Sequence, residues 1–354
     1  MKIEYIFAVF ALIGMADKIC GNRLKLGQEF EKAVMTMGPL VIAMAGMLIL
    51  APVIATGLST VITPIANTLG MDVSVAGTFL PNDAGGAAIA YKLSDNFTAR
   101  GYNGMIVASM FGATTTLIPM ALKLVDKKYH EDVLSGLLCG LATIPVGCLV
   151  SSFMIGFPII NAVLNILPSV IISALICIGL VKAPDTIRKI LAVVGEIIFA
   201  IMVFGLGLGI FHKLTGVAII AGIETVDSTF LIIGNIAVIL AGVLPLLSVI
   251  SRVFNKLFIK FGKLIKINDT SVVGLITHLA NSIPVFSMMG DMDKRGRIFN
   301  MAWAVSAGYT FGDHLAFALA FDSAFAMPMV VGKLVSGISA VILSAIVYRK
   351  STEK

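Results

Sequence analysis

The chain has 354 residues, of which 58% are hydrophobic. Charged residues make up 13% of it, about half of the fraction of roughly 25% that is usual in soluble domains. A soluble fold of this length needs a polar coat, and the sequence holds too few charged residues to make one. The composition therefore excludes an ordinary soluble protein and predicts an integral membrane protein with the lipid bilayer as its partner. The net charge of +6 comes from short basic clusters, which do not predict nucleic-acid binding.

Apolar stretches of about 20 residues, long enough to cross a bilayer, recur along the chain. We place them at 3–19, 33–55, 102–122, 133–156, 159–181, 189–211, 229–251, 298–320 and 325–347. Two further stretches, 71–93 and 269–291, are apolar but interrupted by Pro, Asn, Asp or Gly. Each predicts a re-entrant hairpin of two half-helices, so the sequence predicts about nine to eleven membrane segments.

Basic residues orient these segments, because cytoplasmic loops are enriched in Lys and Arg. They cluster in 17–32, 123–132, 182–189, 252–266 and 294–297. All clusters fall on one side only if both interrupted segments are re-entrant. The pattern then predicts an N-terminus outside and a C-terminus in the cytoplasm, with a first hairpin that enters from outside and a second that enters from the cytoplasm.

An internal repeat supports this opposite orientation. Three short motifs recur in order at an offset of about 197 residues: Asp72-Val-Ser-Val-Ala-Gly77 with Asp269-Thr-Ser-Val-Val-Gly274, Leu80-Pro-Asn82-Asp83 with Leu279-Ala-Asn281-Ser282, and Ala99-Arg100-Gly101 with Lys294-Arg295-Gly296. We predict an all-α polytopic membrane protein of two inverted-topology repeats, each with a broken re-entrant hairpin. The first repeat covers 1–158, the linking span 159–188 and the second repeat 189–354. Segment 252–266 is predicted as an amphipathic helix in the headgroup layer, with 57–69 as its counterpart.

The first predicted hairpin has an acidic residue inside an apolar segment, where a charge is energetically unfavourable. Pro81, Gly85 and Gly86 permit the chain to leave helical geometry around Asn82 and Asp83. Freed backbone groups and a carboxylate are tolerated at membrane depth where they face protein or a polar cavity, and they suit a cationic ligand. The alternative is that Asp83 only caps a helix at the hairpin tip.

The second hairpin has amide and imidazole groups in the matching region. Pro284 ends or kinks the first half-helix, and Asn281 offers both donors and an acceptor. His278 lies on the same helical face, three residues earlier. The alternative is a capped break that binds no ligand.

A third pair of polar residues lies late in the span 298–320. Asp313 and His314 are predicted to bind the solute, and an acid beside a titratable imidazole also permits a proton relay. The alternatives are an interhelical hydrogen bond or a position near the outer interface. Proton coupling and uniport down the membrane potential are equally consistent with these residues.

Other chemistry finds no support in the sequence. The four cysteines are scattered without a CxxC pair, which predicts neither a disulfide framework nor a metal site. Phosphate-binding, zinc and nucleophile-elbow motifs are missing as well, so we expect no enzyme and no cofactor. The residues instead predict a transporter for a small polar solute, with a channel-like pore as the alternative.

Motifs along nearly the whole chain resemble the EutH family, the ethanolamine permease-like membrane proteins of bacterial ethanolamine utilisation. They are Met35-Thr-Met-Gly38, Ala43-Met-Ala-Gly46, Ala76-Gly-Thr78, Asp83-Ala-Gly-Gly86, Ala142-Thr-Ile-Pro-Val-Gly-Cys148, Leu279-Ala-Asn281-Ser-Ile-Pro284, Met292-Asp293-Lys-Arg295-Gly296, Gly312-Asp313-His314-Leu315 and Val331-Gly-Lys333. The resemblance implies ethanolamine uptake across the bacterial cytoplasmic (inner) membrane, by alternating access or through a pore for small amines or ammonia. We also expect a homodimer, because carriers of this build often need a fixed scaffold.

Overall fold

The computed structural model describes residues 3–352, apart from the side chains at 255 and 349–352. The described part of the chain therefore leaves out residues 1, 2, 353 and 354 of the predicted repeats. It also leaves out the side chains of two basic residues near the C-terminus, Arg349 and Lys350. The α-helices in chain order are α1 Ile3–Ile19, α2 Leu26–Met35, α3 Met37–Leu40, α4 Gly46–Leu69, α5 Ala87–Leu93, α6 Phe97–Gly101, α7 Ala113–Leu124, α8 His130–Met154, α9 Ile159–Lys182, α10 Pro184–Thr215, α11 Val226–Val253, α12 Asn255–Leu264, α13 Asp269–His278, α14 Ile283–Met288, α15 Lys294–Ala307, α16 Asp313–Phe321 and α17 Ala326–Thr352.

Shorter helical pieces join several of these helices. Val41–Ala45, Asn82–Gly86 and Tyr102–Gly112 have π-helical hydrogen bonding, and Val73–Phe79, Lys127–Tyr129, Met289–Asp291 and Ser323–Phe325 are 3₁₀ turns. The predicted all-α class is confirmed over the described residues, where every regular element is helical. The largest helix–helix interface joins α8 to α17, and α15 packs against both.

Seven stretches of the described chain are long and apolar enough to cross a membrane. They are Leu26–Leu69, Phe97–Leu124, Lys127–Met154, Ile159–Lys182, Pro184–Thr215, Val226–Val253 and Ser323–Tyr348. Each coincides with a predicted span, and the chain is a multi-pass membrane protein. Of the two other predicted spans, 3–19 forms the 17-residue helix α1.

The predicted span 298–320 is wrong as a single helix. The chain leaves helical geometry between α15 and α16, where Tyr309 adopts a left-handed φ of 59°. The reason is a tertiary contact. The backbone N–H of Tyr309 donates to the His278 carbonyl at 2.8 Å, and the backbone N–H of Phe311 donates to the Leu279 carbonyl at 2.8 Å. The second hairpin therefore supplies the backbone partners that the broken helix gives up.

The prediction for 57–69 is also wrong, whereas α12 forms as a helix within 252–266. Residues 57–69 continue α4 without a break, although Pro64 lies inside that helix. A proline is tolerated within a membrane helix where neighbouring groups satisfy the freed backbone.

In both interrupted segments, the last residues lie beside the first residues. In the first, the Ser94 hydroxyl donates to Oδ2 of Asp72 at 2.9 Å, which ties the start of the segment to its end. In the second, Nδ2 of Asn268 donates to the Asp291 carbonyl at 2.8 Å. These bonds close two hairpins, which we call hairpin 1 (72–94) and hairpin 2 (268–291).

The hairpins are deep enough to reach the middle of a membrane. The entering arm of hairpin 2 is the 10-residue helix α13, which rises about 15 Å. The entering arm of hairpin 1 is a 7-residue 3₁₀ helix, which rises about 14 Å. Since the hydrocarbon core is about 30 Å thick, both tips lie about halfway through it if the arms run along the membrane normal.

Candidate functional site

The tip of hairpin 1 is an irregular turn that exposes a carboxylate to the protein interior. Gly85 has φ 115°, a conformation that L-residues rarely adopt, and a Cβ atom there would lie 2.1 Å from Cγ of Met47. The Asp83 carboxylate faces the backbone N–H groups of Asp83 and Ala84, while its Oδ1 atom has no hydrogen-bond partner among the described residues. The turn therefore holds a nearly buried carboxylate with one free oxygen.

The break between α15 and α16 supplies the opposite wall. Asp313 and His314 occupy the first turn of α16, where the positive end of the helix dipole favours negative charge. Gly312 permits close contact with hairpin 2, because a Cβ atom there would lie 2.2 Å from the Ala280 carbonyl oxygen. The Tyr309 ring lies 5.8 Å from the His314 ring, so the break brings an acid, an imidazole and a phenol together.

These two elements line part of a cavity of about 200 Å³. Its lining residues are Ala43, Pro81, Asp83, Ala84, Ala113, Thr116, Leu117, Met120, Met202, Ala304, Val305, Gly308, Tyr309, Asp313 and His314. Nε2 of His314 lies 4.0 Å from Oδ1 of Asp83, and the side chains are only 5% and 15% exposed. Asp83 and Asp313 also interact electrostatically. Two carboxylates in a mostly apolar cavity have the chemistry that suits a small cation, because an unpaired charge is energetically unfavourable in apolar surroundings.

The structure brings together three of the six predicted binding residues: Asp83, Asp313 and His314. Asn82 lies beside them at the tip, fully buried, with Nδ2 3.9 Å from Sδ of Met329 and Oδ1 without a partner in the described chain. It does not line the cavity.

The two predicted residues of hairpin 2 do not line the cavity. Nδ1 of His278 is 2.9 Å from the Ser282 hydroxyl, and Oδ1 of Asn281 accepts the backbone N–H of Ile283 at 2.9 Å. Pro284 lies in the first turn of α14, so it begins the second half-helix instead of ending the first. The predicted breaking residues Pro81, Gly85 and Gly86 do lie at the tip of hairpin 1.

Sequence reasoning missed Tyr309 and Lys333. Lys333 of α17 is 1% exposed, and its Nζ donates to the Ser109 carbonyl at 2.7 Å. A lysine inside an apolar span is the same signal that identified Asp83, and it was available in the sequence.

Comparison with known proteins gives full-length matches. The family model described as "Ethanolamine utilisation protein, EutH" matches residues 2–347. A protein of Listeria monocytogenes named "Probable ethanolamine permease EutH" is 40% identical over 99% of this chain and 95% of its own length.

More distant relatives match over similar lengths. A Salmonella typhimurium protein with the same name is 33% identical over 96% of this chain and 93% of its own length. The Bacillus subtilis "Uncharacterized protein YxeR" is 34% identical over 97% of this chain and 93% of its own. No solved structure matches the chain. The family match and these identities along the whole chain show that this multi-pass membrane protein belongs to the EutH family.

Proposed function

We propose that the protein carries ethanolamine, as a singly charged cation, across the bacterial cytoplasmic membrane into the cell. The observation that carries the proposal is the cavity that both Asp83 and Asp313 line, between the tip of hairpin 1 and the break before α16. Relatives at 33–40% identity bear the name probable ethanolamine permease, which agrees with this assignment.

Ethanolamine suits the chemistry of this cavity. Its amine is protonated near neutral pH, as other alkyl amines are, and the cation does not cross lipid unaided. Asp83 and Asp313 supply the opposing charge, through hydrogen bonds that are stronger than those between neutral groups. The hydroxyl then meets the polar side chains of His314 and Tyr309, and the apolar wall packs against the two methylene groups.

The amides of the hairpins act in a second state of the carrier. Asn82 and Asn281 bond the hydroxyl or the ammonium, and His278 joins them, when the hairpins shift relative to the spans behind them. In the present state none of the three lines the cavity.

Alternating access of this kind requires elements that move relative to the site. Hairpin 1 lines the cavity through Pro81, Asp83 and Ala84. Hairpin 2 contacts the break before α16 through the bonds from Tyr309 and Phe311 to His278 and Leu279.

Inverted repeats provide the geometry for such a shift. Nδ2 of Asn103 donates to the Ser74 hydroxyl at 2.9 Å in the first repeat, and Nδ2 of Asn300 donates to the Ser271 carbonyl at 2.9 Å in the second. The two pairs have the same spacing along the chain and both fasten a hairpin to the span that follows it. Together with the closed bases of the hairpins, they support an internal repeat. Hairpins that enter from opposite faces, an external N-terminus and a cytoplasmic C-terminus follow from the positions of the basic clusters and are part of the proposal. A homodimer stays a prediction, to be tested by the mass of the protein in detergent micelles.

Uptake into liposomes tests the proposal and separates a carrier from a pore. Purified protein in liposomes takes up labelled ethanolamine in a saturable manner, and unlabelled ethanolamine inside the vesicles accelerates the entry of label. Uptake no greater than that of protein-free liposomes would refute ethanolamine transport. Flux that neither saturates nor responds to internal ethanolamine would replace the carrier with a channel-like pore for small amines.

A further inference from the structure

The segment 252–266, which includes α12, is strongly basic and contains no acidic residue. Its basic residues are Arg252, Lys256, Lys260, Lys263 and Lys266. The four lysines are exposed, and none of them forms an ion pair with an acidic side chain of the described chain. Like charges spaced this closely repel one another, so the segment attracts a negatively charged partner.

The exposed side chains of α12 fall on two separate faces, because successive residues of an α-helix are turned by about 100°. The apolar face, within an arc of about 60°, consists of Leu257, Phe261 and Leu264, which are 58%, 54% and 77% exposed. The basic face, an equal arc about 100° away, consists of Lys256, Lys260 and Lys263. A helix with these two faces is suited to the interface of a bilayer, with apolar side chains among the acyl chains and lysines at the headgroups.

A third face of α12 packs against hairpin 2. A Cβ atom at Gly262 would lie 2.1 Å from Cγ2 of Val272, so the backbone of α12 is in close contact with α13. The partly buried Phe258 packs against the same apolar cluster as Val272. Only residues 265–268 separate the two helices, and the Ile267 backbone N–H donates to the Gly262 carbonyl at 3.0 Å. Since α13 is the entering arm of hairpin 2, α12 positions the start of that hairpin.

A phospholipid with an anionic headgroup fits both exposed faces of α12. Its acyl chains contact the apolar face, while its negative headgroup attracts the basic face. A soluble phosphate compound would leave the apolar face in water, where these side chains gain no burial. A zwitterionic phospholipid would cover the apolar face but bring no net charge to the lysines.

We propose that α12 binds anionic phospholipids through its apolar and basic faces, and that this contact holds the start of hairpin 2 in place. The close packing of Gly262 on Val272 transmits the position of α12 to α13. The inference goes beyond the proposed function, because it concerns the lipid around the protein and does not depend on which solute is carried.

Quenching of tryptophan fluorescence by brominated lipids tests which lipid contacts α12. Phe261→Trp places the reporter on the apolar face, and Trp303→Phe removes the single native tryptophan. Leu257→Trp in the same background serves as a second reporter. Each purified protein is reconstituted into vesicles of equal amounts of phosphatidylcholine and phosphatidylglycerol, with bromine on the acyl chains of one lipid or the other. The two quenching efficiencies give the binding constant of phosphatidylglycerol relative to that of phosphatidylcholine.

We expect phosphatidylglycerol to bind at the apolar face at least about fivefold more strongly than phosphatidylcholine. Replacement of all three lysines of the basic face by glutamine should bring this ratio to within about twofold of one. A matched control removes three exposed lysines elsewhere in the chain and should leave the ratio unchanged. Its substitutions are Lys123→Gln, Lys182→Gln and Lys189→Gln.

Hydrogen–deuterium exchange tests the second half of the proposal, the anchoring of hairpin 2. The backbone amides of α13 should exchange severalfold more slowly in vesicles that contain phosphatidylglycerol than in vesicles of phosphatidylcholine alone. The variant without the basic face should lose this difference.

Three results would overturn the inference. A ratio of binding constants close to one with both reporters would refute anionic-lipid binding, without the need for any lysine variant. A folded variant without the basic face that keeps the ratio of its parent would show that these lysines do not select the lipid. Equal exchange of α13 in both kinds of vesicle, with the lipid preference intact, would refute the anchoring of hairpin 2.

Discussion

Oδ1 of Asp83 and Nε2 of His314 face each other across 4.0 Å, a gap too wide for a direct hydrogen bond. Each residue also retains a buried polar atom without a partner among the described residues, Oδ1 in Asp83 and Nδ1 in His314. Buried polar groups are usually hydrogen-bonded, so the pair is suited to a ligand that donates to the carboxylate. The distance is a property of the site that no single stretch of sequence encodes.

Replacement of the His314 imidazole should lower the affinity for ethanolamine less than replacement of a carboxylate does. His314→Gln keeps a polar side chain and the charge of the site, so we expect a severalfold loss of ethanolamine affinity. Asp313→Asn removes one charge-assisted interaction, worth about 1.5–3 kcal/mol, and should lower affinity by about tenfold or more. Titration of purified protein with ethanolamine measures both. A larger loss in His314→Gln than in Asp313→Asn would contradict the assignment of the counter-charge.

The turn at hairpin 1 should not tolerate a side chain at Gly85. A Cβ atom at its φ of 115° is strained and would lie 2.1 Å from Cγ of Met47. We expect Gly85→Ala to destabilise the protein by more than about 1 kcal/mol, seen as a lower midpoint of thermal unfolding in detergent. Gly195→Ala is the matched control, because a Cβ atom at that helical position meets nothing within 4 Å. Equal midpoints for the two variants would count against the described turn.

A nearly buried ion pair fastens α15 to α8. Nε of Arg297 lies 2.7 Å from Oδ2 of Asp132, with side chains 13% and 10% exposed, and the guanidinium also lies 4.2 Å from the Tyr129 ring. Asp132→Asn leaves Arg297 without its counter-charge and should destabilise the protein by about 3 kcal/mol. Glu29→Gln is the control, because its partner Lys32 is 3.9 Å away and 62% exposed. Thermal unfolding of both variants in detergent tests this, and an equally small effect in both would show that the buried pair contributes little.

Accessibility to a membrane-impermeant thiol reagent tests the opposite orientation of the hairpins. Asp95 and Lys294 are exposed residues just beyond hairpins 1 and 2, and each is replaced by cysteine in a background that lacks the four native cysteines. We expect the reagent to label Asp95→Cys in intact cells, and Lys294→Cys only after the cells are made permeable. Labelling of both positions from the same side would rule out inverted repeats.

Several features of the fold were predictable because local chemistry encodes them. The apolar spans follow from composition, and both hairpins follow from Pro, Gly and Asn in otherwise apolar segments. Asp83, Asp313 and His314 were identified because polar groups are costly in such segments. The repeat motifs also indicated where the hairpins begin, at Asp72 and Asp269.

The remaining features depend on contacts between distant parts of the chain. The break after α15 forms because backbone groups of Tyr309 and Phe311 pair with His278 and Leu279, which no local pattern shows. The absence of Asn281 from the cavity lining depends equally on how hairpin 2 packs. Lys333 differs from these, because a lysine inside an apolar span was visible in the sequence and only its hydrogen bond to the Ser109 carbonyl required the structure.

Equilibrium binding of ethanolamine to the purified Asp83→Asn protein tests the central claim, a cation held by the carboxylate of hairpin 1. Asp185→Asn is the control, since that carboxylate is 79% exposed and pairs with Arg188 at the start of α10. We expect the wild-type and Asp185→Asn proteins to bind equally, and Asp83→Asn to lose affinity by about tenfold or more. An Asp83→Asn protein that folds and binds ethanolamine as tightly as the wild type would contradict the account.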